Sequence, residues 1–449
     1  MADTPKTAVV IGGGWAGCSA AVALTQAGYK VTLFEAARTL GGRARAVEVH
    51  GKTLDNGQHI LLGAYSDTLR MMATVGIDAE QALLNLPLQM RYPEGSGGMD
   101  FVAPRLPAPL HLALALLRAK GLASADKMSL ARFSTTARWM DWQLHTDCSV
   151  SELLERFDQT DRLIALMWRP LCLAALNTPP ERASAQVFLN VLRDSLGARR
   201  NSSDMLLPRT DLSTLFPAAA ARFVTEHSGA VRTGAKVNTV SQHDRGWKVD
   251  VSGNDVDGHW SVYVDAVVMA GGAPSTAVLL GKLGKEELAT QLMAFEYEAI
   301  TTCYLQYPPG TRLDLPFYAL VDDAAQGAWG QFVFDRGQLD HSQDGMLSVV
   351  VSASAAASAL DRAAFAGAVA AQLASVLKRP DLAQPEWTQV ISEKRATFAC
   401  TPGLVRPPND IGLPGLAIAG DFTAGDYPAT LEAAVRSGIG AAETASAAP

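Results

Sequence analysis

The chain is poor in charge, poor in aromatics and without any obvious metal set. Of 449 residues 18% are charged and 7% aromatic, against 48% hydrophobic, and the formal net charge is −7. An excess of acid over base leaves no electrostatic footprint for nucleic acid. So much apolar content also excludes a disordered chain. The five cysteines, Cys18, Cys148, Cys172, Cys303 and Cys400, lie far apart with no CxxC pair. That spacing excludes a disulfide scaffold or zinc ribbon and fits buried free thiols in a reducing compartment. Histidines and carboxylates show no metal-ligand spacing, so no metal is expected. No apolar run reaches the roughly 20 residues of a membrane span. The first one, Ala8 to Ile11, runs into glycines too early to be a secretion signal. There is no Ser-His-Asp elbow and no second G-x-G-x-x-G, so any redox chemistry must come from a cofactor bound at a single nucleotide site.

What is present begins at once. Lys6 to Ile11 is rich in β-branched residues and reads as a buried parallel strand. Gly12, Gly14 and Gly17 follow with G-x-G-x-x-G spacing and lead, through Trp15 and Ala16, into an Ala-rich helix that stops at Gly28. A second strand, "KVTLFE", ends at Glu35. The first glycine allows the turn, the second lets backbone approach a pyrophosphate, and the third lets helix pack on strand. A carboxylate at Glu35, next to Ala36, can accept from a ribose 2′-hydroxyl and disfavours a 2′-phosphate. The unit is predicted to bind a dinucleotide.

Directly beyond it, "LGGRARA" places Gly41, Gly42 and Arg43 where a second close backbone approach and a cation can meet the pyrophosphate. This extension resembles the GG-R segment of FAD enzymes of the amine-oxidase and phytoene-desaturase type, and the resemblance implies FAD rather than NAD. It also implies roles near the other terminus. Gly420 and Asp421, after the strand Leu416 to Ala419, would hold the ribityl chain. Thr430 and Leu431 would open a helix whose N-terminus faces the flavin N1/O2 edge. Val237 would lie against the adenine.

Three further blocks narrow the resemblance: "DNGQHILLGAYSDTLRMMATVG", "LNTPPERASAQVFLNVLRDSL" and "EKRATFACTPG". They are similar to the squalene-associated FAD-dependent desaturase branch, the hydroxysqualene dehydroxylases of bacterial hopanoid and squalene biosynthesis. The resemblance implies reductive loss of an allylic hydroxyl, with reduced FAD as hydride source and an external reductant. It places Gly57, Gln58, His59 and Ile60 against the isoalloxazine. His59 is the candidate donor to the leaving hydroxyl or, alternatively, a simple partner of flavin or backbone. An oxidative carotenoid desaturase would use the same motifs, as would a flavin-bound polyisoprenoid carrier without turnover.

A chain of this length is expected to form two domains. The expected fold is α/β: a Rossmann-like FAD-binding domain from the discontinuous segments 1–62, 205–285 and 390–449, with an α+β substrate domain from 63–204 and 286–389. "GAVRTGAKVNTVSQHDRGWKVDVSG" reads as two strands around a polar turn. In the substrate domain "DRLIALMWRPLCLAALN" is apolar nearly all round. Met167, Trp168, Leu171, Phe188, Tyr304 and Phe332, with Leu173, Leu176 and Leu192, are candidates to line a cavity poor in polar groups, suited to a long isoprenoid. "LPAPLHLALALLRAKGLA", Leu106 to Ala123, reads either as a core helix or as a segment dipping into one leaflet, its helix starting near Pro109. The localisation expected is cytoplasmic, with peripheral contact at the inner face of the membrane and functional coupling to a squalene-pathway synthase.

Overall fold

The computed structural model describes residues 5–244, 246–253 and 258–447. Its centre is a six-stranded sheet in the order Ala230–Thr233, Lys30–Glu35, Thr7–Ile11, Ala266–Met269, Leu416–Ile418, Asp410–Leu413. The first five strands run parallel and the last is antiparallel. Side chains of the first strand alternate between two cores, as a period of two requires. Ala8 and Val10 pack under helices, while Val9 and Ile11 face the opposite side.

The helical side joins the two ends of the chain. The opening helix, Trp15–Gln26, lies against the terminal helix, Leu431–Ser446. Small residues let the backbones approach: Ser19 Oγ donates to the Ala16 and Val435 carbonyls at 2.9 and 3.1 Å. A Cβ at Gly438 would overlap both Ser19 Oγ and the Ala16 carbonyl. The sheet's other face is covered by an antiparallel meander of Ala235–His243, Gly246–Gly253 and His259–Val264.

That meander corrects the two-strand expectation. Ala230–Thr233 leaves to extend the parallel sheet, the next two segments form the hairpin, and a third strand completes it. The physical reason is Gly234, whose φ of +66° breaks the run between the two sheets.

Beyond the meander stands a five-stranded antiparallel sheet, in the order Phe317–Ala319, Phe332–Asp335, Met346–Ser352, Tyr297–Gln306, Trp387–Phe398. One of its faces packs on the helix Arg362–Val376 through Cys303, Val349, Phe365 and Leu373. The other, with Phe332, Phe334 and Val350, joins the large core made with the helices of residues 110–197. The boundary expected at residue 390 therefore cuts a strand, because Trp387–Phe398 pairs along Tyr297–Gln306.

Candidate functional site

The two glycine turns meet at the end of the first strand. Gly12 has a φ of +105°, and a Cβ there would stand 2.7 Å from the Ala270 carbonyl oxygen. Gly41 N donates to the Gly13 carbonyl at 2.8 Å, and a Cβ at Gly42 would come within 3.1 Å of Gly14 Cα. Only bare backbone fits, and bare backbone is what a pyrophosphate needs beside it. The opening helix starts at Gly14 with no side-chain cap, so its first amides face the same space. Glu35 closes the turn, its two oxygens accepting from Gly13 N and Ala37 N at 2.7 Å each. The shape and donors fit a dinucleotide.

Arg43 reaches across to the far terminus. Its Nη2 donates to Asp421 Oδ1 at 2.6 Å and its Nη1 to the Ala396 carbonyl at 2.7 Å, tying the GG-R turn to the segment after Leu416–Ile418. The terminal helix is capped by Thr430, whose hydroxyl accepts from Ala433 N. Glu432, fully buried, accepts from Thr68 N and Oγ1 and pairs with Arg436, which fixes the direction of that N-terminus.

A connected cavity of about 1220 Å³ runs from these turns into the helical layer. A drug-sized ligand occupies roughly 300–1,000 Å³, so there is room for a dinucleotide and a second occupant. Every cofactor-side residue expected from the sequence borders the cavity except Gly17. Gly17 lies beneath the turn, where a Cβ would overlap the Gly12 carbonyl. Val237 borders it at the bulge in its strand, between Val237 and Thr239.

The segment Gly57 to Ile60 sits midway. His59 Nδ1 lies 2.9 Å from the Gly57 carbonyl, which can only accept, so Nδ1 carries the proton. Burial and nearby Arg43 hold the imidazole below its ordinary value against that hydrogen bond. The ring is therefore neutral, with Nε2 as an acceptor. Gln58 is held from behind: its Oε1 accepts from Arg336 Nη1 at 2.7 Å, and Arg336 also donates to Gln343 Oε1 at 2.8 Å. Asp55 stands 3.8 Å from this guanidinium, and both side chains are almost wholly buried. Burial pushes the Asp55 carboxyl up to about 6, against Arg336 and the Leu212 amide.

The apolar end contains Met167, Trp168, Leu171, Leu192 and Phe332, as expected. Four expectations need correction. Phe188 is fully buried behind the wall, its ring edge-on to Trp168 at 6.1 Å between centroids. Tyr304 belongs to a separate small core, with its hydroxyl donating to the Asp55 carbonyl at 2.9 Å. Leu173 and Leu176 are likewise buried without bordering the cavity. The segment is apolar on all sides, so composition does not say which face meets the cavity. Its wall face is set where the helix loosens to i→i+5 spacing over Ile164–Trp168; such π-turns recur at functional sites.

Sequence reasoning missed Asn177 and assigned no role to Tyr427, and both border the cavity. Asn177 ends the helix Arg169–Leu176 at a φ of +48° and bridges Thr397 Oγ1 and Ala353 N. Its signal was the αL preference of Asn after a helix. Tyr427 donates to Asp194 Oδ2 at 2.6 Å.

Comparison with known proteins bears on the family and the fold. The sequence profile described as "Flavin containing amine oxidoreductase" matches residues 15–445. The hydroxysqualene dehydroxylase of Rhodopseudomonas palustris is 29% identical over 98% of both chains. That of Sinorhizobium fredii is 27% identical, again over 98% of both. Among solved structures, a variant of putrescine oxidase superposes with a TM-score of 0.71 at 17% identity, covering 98% of this chain and 99% of that one.

Proposed function

Because the chain belongs to the flavin-containing amine oxidoreductase family, we propose that it is an FAD-dependent hydroxysqualene dehydroxylase that forms squalene. The observation carrying this reading is the single cavity that joins the nucleotide turns to a chamber walled by Met167, Trp168, Leu171 and Phe332. The relatives bearing that name align over nearly their whole length. In the reaction the allylic C–O bond breaks, oxygen leaves as water and a C–H bond forms. The two electrons and two protons are drawn from an external reductant.

When bound and reduced by the external reductant, FAD would supply the hydride. Gly12, Gly14 and Gly42 would hold its pyrophosphate, Glu35 its ribose, and Arg43 with Asp421 the centre of the molecule. The chain's remaining tasks are to orient the isoprenoid and keep water from the allylic cation. The apolar wall does both. Neutral His59 accepts at Nε2, so a proton for the departing oxygen passes through it only if one is delivered there first. In this reading segments 1–62, 205–285 and 390–449 serve the cofactor and the remainder serves the substrate. The substrate is a water-insoluble alcohol, so a peripheral contact with the cytoplasmic membrane face and delivery from a pathway synthase belong to the same proposal.

Turnover and cofactor retention both test it. Protein reduced anaerobically with dithionite should reoxidise and release squalene when mixed with hydroxysqualene. Absence of both would sink the reading, and desaturation of a carotenoid by the oxidised protein would favour the desaturase alternative. In the same assay His59→Asn should keep the wild-type pH profile. For the cofactor, the protein should be yellow and release FAD on denaturation. Arg43→Ala and Glu35→Ala each remove charge-assisted hydrogen bonds worth roughly 1.5–3 kcal/mol. Each should therefore weaken FAD retention by about 10- to 150-fold, read by equilibrium dialysis. Two variants that hold FAD like the parent would refute the placement.

A further inference from the structure

The cavity's apolar end opens to solvent between two helices, Leu110–Arg118 and Ser124–Trp139. Pro109, Ala113, Ala131, Thr135 and Arg138 are at once cavity wall and exposed surface, so the mouth lies between them. On each helix the same outward face carries large apolar side chains at helical spacing. Leu110 and Leu117 are 59% and 72% exposed, and Met128 and Trp139 are 66% and 83% exposed. None of these four borders the cavity. The first helix is pinned from behind by His111 and Ala115, which are buried, so its outer face is presented rather than loose.

Charge on this strip runs opposite to the whole. From Arg105 to Trp139 the cations are Arg105, Arg118, Lys120, Lys127, Arg132 and Arg138, against Asp126 alone. Asp126 is buried, its oxygens accepting from Ala123 N and Thr160 Oγ1 at 2.7 Å each. The rest of a chain of net charge −7 must therefore be strongly acidic. Exposed leucine, methionine and tryptophan set among arginines and lysines are the two attractions that hold a helix in the headgroup layer. Among the described residues no helix is long and apolar enough to cross a bilayer.

We propose that this helix pair is the surface by which the protein rests on an anionic lipid leaflet, with the cavity mouth turned to the acyl chains. The proposal rests on the isoprenoid reading of the cavity and adds the route: substrate leaves the leaflet between the two helices without crossing water. Charge complementarity selects the occupant. A second copy of the chain would oppose this strip with its own cations wherever two strips met.

Vesicle co-sedimentation tests it without turnover. The wild-type protein should pellet with phosphatidylcholine vesicles containing phosphatidylglycerol, and not with phosphatidylcholine alone, and high salt should release it. Leu117→Asp combined with Trp139→Asp should weaken that binding by about tenfold or more. The same variant should keep its melting temperature and its activity on detergent-dispersed substrate. Equal pelleting of both proteins, no pelleting of either, or a dimer in sedimentation velocity that the double substitution dissolves would overturn the proposal. If vesicle binding follows expectation but detergent-dispersed hydroxysqualene is not consumed, the dehydroxylase reading fails and the lipid surface stands.

Discussion

Gly17→Ala is expected to leave a protein that retains little flavin and melts well below the parent. The added Cβ would fall on the Gly12 carbonyl oxygen and within 3.2 Å of Ala270 Cβ. Neither neighbour can yield, because Gly12 N itself donates to the Phe34 carbonyl at 2.7 Å and Ala270 N to the Ile11 carbonyl at 2.7 Å. The helix must therefore move off the strand, which carries its first-turn amides away from the turn they share. Overpacking costs about 1–3 kcal/mol and occasionally more, and an overlap with a backbone oxygen belongs at the upper end. Gly367→Ala is the control. It lies exposed in the helix Arg362–Val376, with nothing within 4 Å of the new Cβ, and should stabilise by roughly 0.5–1 kcal/mol. Melting temperature and flavin-to-protein ratio are read on both. A Gly17→Ala protein that melts and loads like the control would refute the packing described.

Arg336→Met should destabilise the fold by roughly 3–5 kcal/mol, the cost of stripping a buried charge of its partner. The guanidinium is 1% exposed and engages Gln58, Gln343 and Asp55. Methionine fills similar volume but leaves Gln58 Oε1 and the Asp55 carboxylate without their cation. The pH dependence has a definite sign. The Asp55 carboxyl is raised from 3.8 to about 6 in the native protein, so its contribution is full below the unfolded value and is lost as pH rises through about 6. Without Arg336 the carboxyl rises further, so the loss extends to higher pH. Urea midpoints should therefore separate parent and variant more at pH 8 than at pH 5.5. An equal gap at both would show that Asp55 is not coupled to this arginine.

The glycine-turn half of the cavity was legible because its determinants are local. A turn that brings backbone to a phosphate needs glycine at set intervals within one short stretch, followed by a helix and an acid at a strand end. Gly12, Gly14, Glu35, Gly42 and Arg43 satisfy those demands within the first two strands and the turns after them. The apolar half was legible only as a composition. Trp168, at the end of Ile164–Trp168, and Phe188, in the helix Ala185–Leu192, are both buried, yet one borders the cavity and the other packs behind it. Burial from water has the same energy on either side of such a wall, so no sequence pattern separates them.

By itself, then, the order of residues determined glycine turns at the end of a parallel strand, an Asp421 and Thr430 at the far end of the chain, and apolar helices around them. Only the tertiary structure decided which side chains face the cavity, that Arg336 holds Gln58 across 278 residues of sequence, and where the chamber opens. The reason is the range of the forces involved. Backbone sterics and helix ends act over a few residues and leave spacing rules in the chain. Packing and buried ion pairs depend on contacts between distant segments, and those exist only once the sheets and helices have met.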